Sequence, residues 1–195
     1  KNNNHGASVM KKNRRAFLSN VVSNTVGIAS IAASNQPQRA LAIANDVQED
    51  VYFGAGCFWH VQHEFVLAER NLLGRKDNEL TSLTGYAGGL GKSDKEGRVC
   101  YHNFQSIADY GKLGHSECVG LSIPQSSVGD FAVEYFKLFG KKGERADPMD
   151  KGGEYRSLLG LPGGKNHPLF DKVEAAAAEQ GMQLVDGKGN DPDTL

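Results

Sequence analysis

The stretch from residue 51 to residue 67 joins a strand pattern to a helix pattern through two glycines and a cysteine. Residues 51–53 are apolar and typical of a strand, and from residue 58 onward apolar side chains recur at helical spacing. The glycines at 54 and 56 allow the backbone to turn sharply between the two elements. The sequence therefore predicts that Cys57 lies at the start of a helix that directly follows a strand.

A cysteine at the start of a helix meets unpaired backbone N–H groups and the positive end of the helix dipole. Both favour the thiolate over the thiol, so Cys57 is a candidate nucleophile. Phe58 and Trp59 follow it directly and would form an apolar wall beside the sulfur. The alternative interpretation is that Cys57 is a small buried hydrophobe and that the two aromatic residues belong to the core.

Charge is segregated along the chain of 195 residues. Residues 1–45 contain six of the 22 basic residues and no acidic residue, which leaves a body with a formal charge of −7. An acidic body argues against a nucleic-acid partner and against stable membrane association. No apolar run reaches the roughly 18 residues of a membrane span. Three cysteines form an odd set and are too few for a disulfide scaffold.

Residues 1–45 have the pattern of a targeting leader. A basic region with paired arginines at 11–15 precedes a weakly apolar stretch at 21–33 and small residues at 40–44. This order resembles a twin-arginine export signal, with upstream material like that of a bipartite plastid import signal. We therefore expect an exported or organellar protein, in the thylakoid lumen of a plastid or a bacterial periplasm, with one folded domain at 46–195. The alternative is a disordered basic tail on a cytoplasmic protein.

Apolar patterns in the body predict the order β-α-β-β-α-β-α-β, which is an α+β arrangement. Strands are expected at 50–55, 80–86, 115–123, 155–160 and 182–185, and helices after Cys57, after an N-cap at Ser127 and from Pro168 to residue 178. The polar residues 90–112 are expected to form an irregular loop.

Three further segments place polar or aromatic side chains where a core needs neither. Tyr86 lies among the glycines of 84–89, and Glu117 lies at the start of an otherwise apolar strand. Asp150 and Tyr155 flank a Gly-Gly loop. Each segment alone is compatible with a structural role, because Gly-Gly usually marks a turn and a strand glutamate usually faces solvent.

Taken together, the segments resemble the motifs of the peptide methionine sulfoxide reductase A family. The matching blocks are Gly-Cys-Phe-Trp at 56–59, Gly-Tyr with Gly-Gly at 85–89, Gly-His-x-Glu at 114–117 and Asp-x-Gly-x-x-Tyr-Arg-Ser at 150–157. The resemblance implies a two-layer α/β sandwich with a ferredoxin-like plait core and long irregular loops. It also implies reduction of the S epimer of methionine sulfoxide in peptides, proteins or the free amino acid, as repair of oxidative damage.

The resemblance implies a role for each matched residue. Cys57 would attack the sulfoxide sulfur and end as a sulfenic acid. Glu117 would protonate the departing oxygen, and burial would favour its neutral form. Tyr86 and Tyr155 would donate hydrogen bonds to that oxygen.

Three more matched residues would shape the pocket. Phe58 and Trp59 would hold the methyl group of the substrate, and Asp150 would orient the substrate main chain or an ordered water. The resemblance implies no bound cofactor and no metal. It implies thioredoxin or another thiol as reductant, an oxidised peptide or protein as substrate, and a monomer.

The chain departs from the family pattern at several points. His60 and Gln62 stand where the family has Gly and Glu, and the family's C-terminal Tyr-His-Gln segment has no counterpart. We therefore expect a divergent or C-terminally truncated member. The usual C-terminal resolving cysteines are also missing, which leaves Cys100 as the better internal candidate and Cys118 as the weaker one, or an external thiol.

Rival interpretations stay open at this point. A zinc site is suggested by Cys57, His60 and His63, and by His115 with Cys118, although residues three and six apart diverge around a helix. Another thiol enzyme, such as a peroxidase or an acyl transferase with His115 as base, would also use Cys57. A third candidate is a catalytically silent protein that binds methionine sulfoxide.

Overall fold

The computed structural model describes residues 46–89, 93–140, 143–145 and 147–185. All of them fall in one compact unit of the chain, Asn35–Leu195. The targeting leader expected at 1–45 lies outside the described residues and stays a prediction.

The described residues form four strands and three helices in the order β-α-β-β-α-β-α. The elements are β1 (Gln48–Gly54), α1 (Phe58–Leu73), β2 (Leu83–Ala87), β3 (Ser116–Pro124), α2 (Val128–Phe136), β4 (Leu158–Gly160) and α3 (Phe170–Glu179). Single turns of 3₁₀ helix lie at Asp77–Glu79, Gln125–Ser127, Gly153–Tyr155 and Gly164–Asn166.

The four strands form one antiparallel sheet in the order β2-β3-β1-β4. In the register of this sheet, Phe53 pairs with Val119 and Tyr86 pairs with Glu117. The β-α-β-β-α-β order with this strand arrangement is the ferredoxin-like plait. The expected α+β class and two-layer sandwich are therefore confirmed.

Alternation along β1 and β3 places one face of the sheet in the core with α1 and α2. Phe53 stacks on Phe65 of α1 at a ring distance of 4.5 Å, and Phe65 stacks in turn on Phe131 of α2. Burying each such ring contributes about 2–3 kcal/mol relative to leaving it in water. Glu117 lies two residues before Val119 on this same face, so its carboxyl points to the helix side of the sheet.

A buried carboxylate, Glu69, ties the end of α1 to the chain that enters β2. It accepts hydrogen bonds from the backbone N–H groups of Thr81 and Ser82 and from the side chain of Arg75. Burial alone would raise the pKa of Glu69, but the hydrogen bonds from Ser82, Arg75 and Thr81 outweigh it and lower that pKa. The ionised carboxylate thus fixes where β2 begins.

Four expectations about the elements differ from the structure, and one of them is the start of β2, which lies at Leu83 and not at residue 80. The strand predicted at 182–185 is wrong: within the described part of the chain these residues pair with no strand, and Met182 and Leu184 instead pack against the core. The strand predicted at 155–160 begins only at Leu158, because the preceding residues form a 3₁₀ turn. Ser127 precedes α2, but its side chain makes no capping hydrogen bond because another 3₁₀ turn leads directly into the helix.

Candidate active site

Cys57 is the residue immediately before α1, as the strand-to-helix pattern predicted. Its backbone is extended, its thiol is free and half-buried, and its carbonyl accepts a hydrogen bond from the N–H of Val61. The sulfur therefore lies at the end of the helix that carries the positive dipole.

Asp150 approaches this helix start from a distant loop. The backbone N–H of Cys57 donates to Oδ2 of Asp150 at 2.8 Å. Gly56 makes the approach possible, because its φ of +85° is in the left-handed region and a Cβ there would collide with the carboxylate. The Arg145 guanidinium donates to the carbonyls of Asp150 and Tyr155 and so holds the loop in place.

Glu117 reaches the next N–H group of the same helix. Its Oε2 accepts from the backbone N–H of Phe58 at 2.8 Å, and its Oε1 accepts from the hydroxyl of Tyr110 at 2.9 Å. The residue is only 1% exposed. Two carboxyl groups, those of Glu117 and Asp150, are thus bonded to consecutive N–H groups at the start of α1.

Aromatic rings surround the helix start. Phe58 lies 5.9 Å from the ring of Tyr86 and 6.3 Å from the ring of Tyr101. Tyr110 stacks on Tyr86 at 4.5 Å and on Tyr101 at 5.8 Å. The arrangement gives an apolar wall with phenol hydroxyls beside a thiol.

The phenols of this wall stay protonated at neutral pH. Burial and the charge of Glu117 raise the pKa of Tyr86 and of Tyr155. Burial, together with the hydrogen bond to Glu117, raises the pKa of Tyr110 much further. All three hydroxyls therefore keep their proton, and the hydroxyl of Tyr110 already donates it to Glu117.

Arg156 joins the three segments that the sequence singled out after the cysteine. Its buried guanidinium donates to the carbonyl oxygens of Ala87 at 3.4 Å, Gly114 at 3.1 Å and Gly153 at 2.5 Å. A planar guanidinium with five donors can bond several carbonyls at once. Arg156 therefore explains why segments distant in sequence meet at one site.

The structure brings most of the predicted residues together. Direct hydrogen bonds connect Cys57 to Asp150, and Phe58 to Glu117. Tyr86 is the register partner of Glu117 in the sheet, and Tyr155 lies in the 3₁₀ turn that precedes β4. Trp59 is 72% exposed and lies outside the buried aromatic cluster, so its contact with substrate stays a prediction.

Sequence reasoning missed Tyr110 and assigned no role to Arg156. Tyr110 lies in the stretch expected to be an irregular loop, and it is 0% exposed with its hydroxyl on Glu117. Nothing in the local pattern marks it as buried. Arg156 was part of a motif block. The available sequence signal was its place shortly after the turn glycines at 152 and 153.

The two other cysteines differ in accessibility. Cys100 is half-buried, and its backbone is paired with Ala108 and Tyr110. Cys118 is 3% exposed, and burial raises its pKa to about 11. Strand alternation places Cys118 on the opposite face of β3 from Glu117.

The structure bears on two rival sites, the zinc site and the thiol enzyme with His115 as base. Within residues 46–185, as far as they are described, no group of three or more His, Cys, Asp or Glu side chains has a metal-binding arrangement. The Nδ1 atom of His115, the candidate base, accepts a hydrogen bond from the backbone N–H of Gly89 at 3.1 Å. That ring is buried, and a Cβ at Gly89 would meet it at 2.6 Å.

None of the helices in the described part of the chain has the length and apolar character needed to cross a membrane.

Comparison with known proteins gives a limited result. No family model and no curated protein matches the chain. The solved structure of methionine sulfoxide reductase A of Corynebacterium diphtheriae is similar, with a TM-score of 0.39 and 18% identity. The match covers 69% of this chain and 53% of that one, so the chain spans about half the length of its solved neighbour. Similarity at this level carries no argument about chemistry, which has to come from the site itself.

Proposed function

We propose that the protein is a thiol-dependent reductase that converts methionine S-sulfoxide in peptides and proteins to methionine. The observation that carries the proposal is the position of Glu117. Its buried carboxyl is bonded to the N–H of Phe58, one residue after the half-buried thiol of Cys57. A nucleophilic sulfur and a proton donor at the same helix start are what sulfoxide reduction requires.

In the proposed reaction, the Cys57 thiolate attacks the sulfur of the sulfoxide. The attack forms a bond between the two sulfur atoms, and the sulfur–oxygen bond of the substrate breaks as the protonated oxygen leaves as hydroxide. That hydroxide then attacks the sulfur of Cys57, the bond between the two sulfur atoms breaks with its electron pair going to methionine, and Cys57 is left as a sulfenic acid. The methionine sulfur gains two electrons and Cys57 loses two, so no cofactor is needed for this step. Glu117 supplies the proton that makes the oxygen able to leave, and it becomes a carboxylate.

The position of Glu117 supports its acid role, because its carboxyl is bonded to the N–H of the residue that follows Cys57. Tyr86 and Tyr155, whose raised pKa values keep them protonated, would donate hydrogen bonds to the oxygen as its charge grows. Phe58 would pack against the methyl group of the substrate, and Asp150 accepts a hydrogen bond from the backbone N–H of Cys57.

Return to the reduced enzyme needs a second thiol. Sulfenic Cys57 would condense with another cysteine and release water, and a thioredoxin-like protein or a small thiol would then reduce the disulfide. Cys100 is half-buried whereas Cys118 is buried, which favours Cys100 as the internal partner. Export to an organelle or the periplasm, and a monomeric state, belong to this proposal as expectations from the sequence.

The test is a single turnover without added reductant, with S- and R-methionine sulfoxide offered separately. We expect one methionine per protein from the S epimer and, by mass spectrometry, loss of the free thiols at positions 57 and 100. Cys57→Ser should form no methionine, and Cys118→Ser is the matched control that should keep full activity. Binding of the sulfoxide without any methionine would overturn the proposal in favour of a silent binding protein.

A further inference from the structure

Large apolar side chains are exposed next to the start of α1, and they come from separate segments of the chain. Trp59 belongs to α1, Tyr101 to the loop between β2 and β3, and Met149 to the loop between α2 and β4. They are 72%, 50% and 78% exposed, respectively. A single exposed apolar residue is ordinary on a protein surface, whereas a group of them beside one site marks a surface for binding.

Each of these side chains is tied to the neighbourhood of the thiol. Trp59 lies two positions after Cys57, within the first turn of the helix. The ring of Tyr101 lies 6.3 Å from the ring of Phe58, at an angle of 22°. The residue that follows Met149 accepts a hydrogen bond from the N–H of Cys57 at 2.8 Å, and the Cα atoms of adjacent residues are about 3.8 Å apart. The exposed apolar surface is therefore continuous with the candidate active site.

The loop that carries Tyr101 extends this surface with a second exposed ring. Phe104 is fully exposed, and chain length places its Cα within about 11 Å of the Cα of Tyr101. The side-chain amide of Asn103 donates to the carbonyls of Tyr101 and Ile107 and accepts from the N–H of Ile107. These bonds hold the loop, so its rings need little further ordering when a ligand binds. We call the four exposed side chains the apolar rim: Trp59, Tyr101, Phe104 and Met149.

We infer that the apolar rim binds the residues on either side of methionine sulfoxide in an unfolded, apolar segment of a polypeptide. This inference rests on the proposed function. The sulfur of methionine is separated from its own Cα by two CH₂ groups, so a sulfoxide that reaches Cys57 brings its backbone close to the protein surface. Each further residue of an extended substrate lies about 3.3–3.6 Å along the chain, which brings the neighbouring side chains onto the rim.

The chemistry of the rim favours apolar neighbours. Apolar side chains of the substrate would remove the exposed rings of the rim from water, and polar ones would not. Methionine is mostly buried in folded proteins, so a segment that exposes it on unfolding exposes apolar neighbours as well. Binding energy from these neighbours can support the reaction at the sulfur, and the free amino acid has none to offer.

The test compares two short blocked peptides with S-methionine sulfoxide at the centre, one flanked by leucine and phenylalanine and the other by serines. Single-turnover rates without added reductant, far below saturation, measure substrate capture with no contribution from recycling. In the wild type we expect the apolar peptide to react about 10-fold faster or more, because partial burial of one large apolar side chain contributes about that factor. In Phe104→Ser and in Met149→Ser, the ratio of the two rates should fall by about 3-fold or more.

Val47→Ser is the matched control and should keep the wild-type ratio. Val47 is 65% exposed and precedes β1, at the opposite end of that strand from Cys57. The ratio of two rates from one protein removes any general loss of activity, and thermal unfolding shows whether each variant is folded.

Equal rates for the two peptides in the wild type, or a ratio that both rim variants keep, would overturn the role of the rim and leave the proposed function intact. If the rim variants slowed only turnover supported by a thioredoxin-like protein, the rim would bind the reductant and the inference would be wrong. A wild-type protein that reduces neither peptide overturns the proposed function and the role of the rim together.

Discussion

The buried carboxyl of Glu117 accepts a hydrogen bond at 2.8 Å from the backbone N–H of Phe58, the residue that follows Cys57. The two groups that sulfoxide reduction needs are therefore fixed relative to each other by one peptide bond and one hydrogen bond. One group lies at the start of α1 and the other on β3, so backbone elements hold both in place. This arrangement is set by the backbone and does not depend on a mobile loop.

Replacing Glu117 by Gln tests this pairing. An amide can still accept from Phe58 and donate to Tyr110, so we expect the fold to be kept. It cannot supply a proton, so methionine formation in a single turnover should fall by about 10²- to 10⁴-fold. Alkylation of Cys57 by iodoacetamide should be no slower than in the wild type.

Glu134→Gln on α2 is the control, because that carboxylate is at the surface in an ion pair with Lys137. Surface pairs of this kind contribute about 0–1 kcal/mol, so neither stability nor turnover should change measurably. Equal activity of Glu117→Gln and the wild type would contradict the acid role.

Replacing Gly56 by Ala tests the contact between the cysteine loop and Asp150. The methyl group would collide with the carboxylate of Asp150, and the left-handed backbone at φ +85° adds strain. We expect a loss of about 1–3 kcal/mol in the free energy of unfolding and a large loss of turnover, because Cys57 and Asp150 must separate. Urea unfolding and single-turnover assays measure the two effects.

Gly74→Ala separates strain from collision. Gly74 caps α1 with φ +70°, and nothing lies within 4 Å of a Cβ there. Its variant should therefore lose less stability, from backbone strain alone, and keep its turnover. If both variants kept full turnover, the contact between Gly56 and Asp150 would have no role in the site.

The start of the site was predictable because its signals are local. Apolar spacing alone placed a strand before Cys57 and a helix after it, and an apolar pattern placed Glu117 at the start of a strand. These patterns depend on near neighbours in the chain, and the structure keeps them.

The rest of the fold and of the site depends on contacts distant in sequence. The strand expected at 182–185 has an apolar pattern but no neighbouring strand to pair with, and pairing cannot be derived from a local pattern. Tyr110 is packed against Glu117 and Tyr86 of two strands, and against His102 of its own loop. A polar loop sequence contains no sign of such burial.

Cys118 gives a prediction about thiol labelling. Burial raises its pKa to about 11, so at pH 8 only about one molecule in a thousand carries the thiolate, and the side chain is covered. We expect iodoacetamide to modify Cys57 and Cys100 in the folded protein and to leave Cys118 unmodified. Peptide mass spectrometry after labelling gives the extent at each position.

Labelling in concentrated urea is the control, and there all three thiols should react. Fast modification of Cys118 in the folded protein would show that β3 is open at this position. It would also restore Cys118 as a partner for the oxidised Cys57.

Glu69 gives a prediction about stability and pH. Its pKa in the folded protein is below the ordinary value of 4.5, because the hydrogen bonds from Ser82, Arg75 and Thr81 outweigh the effect of burial. The stability that this carboxylate contributes is therefore present above about pH 4.5 and is lost as the pH falls through the folded-state pKa. Near pH 7, Glu69→Gln should lower the free energy of unfolding by about 2–3 kcal/mol, because it leaves Arg75 and two backbone N–H groups without a charged acceptor.

Urea unfolding of both proteins at several pH values between about 3 and 7 measures the difference. The difference in free energy of unfolding between wild type and Glu69→Gln should narrow as the pH falls. The wild-type carboxylate then becomes protonated and is neutral, like the amide. Glu174→Gln, an exposed position on α3, is the control and should show no such change with pH. A gap that stays constant down to about pH 3 would mean that Glu69 contributes through its shape and neutral hydrogen bonds, and that its charge does not fix the start of β2.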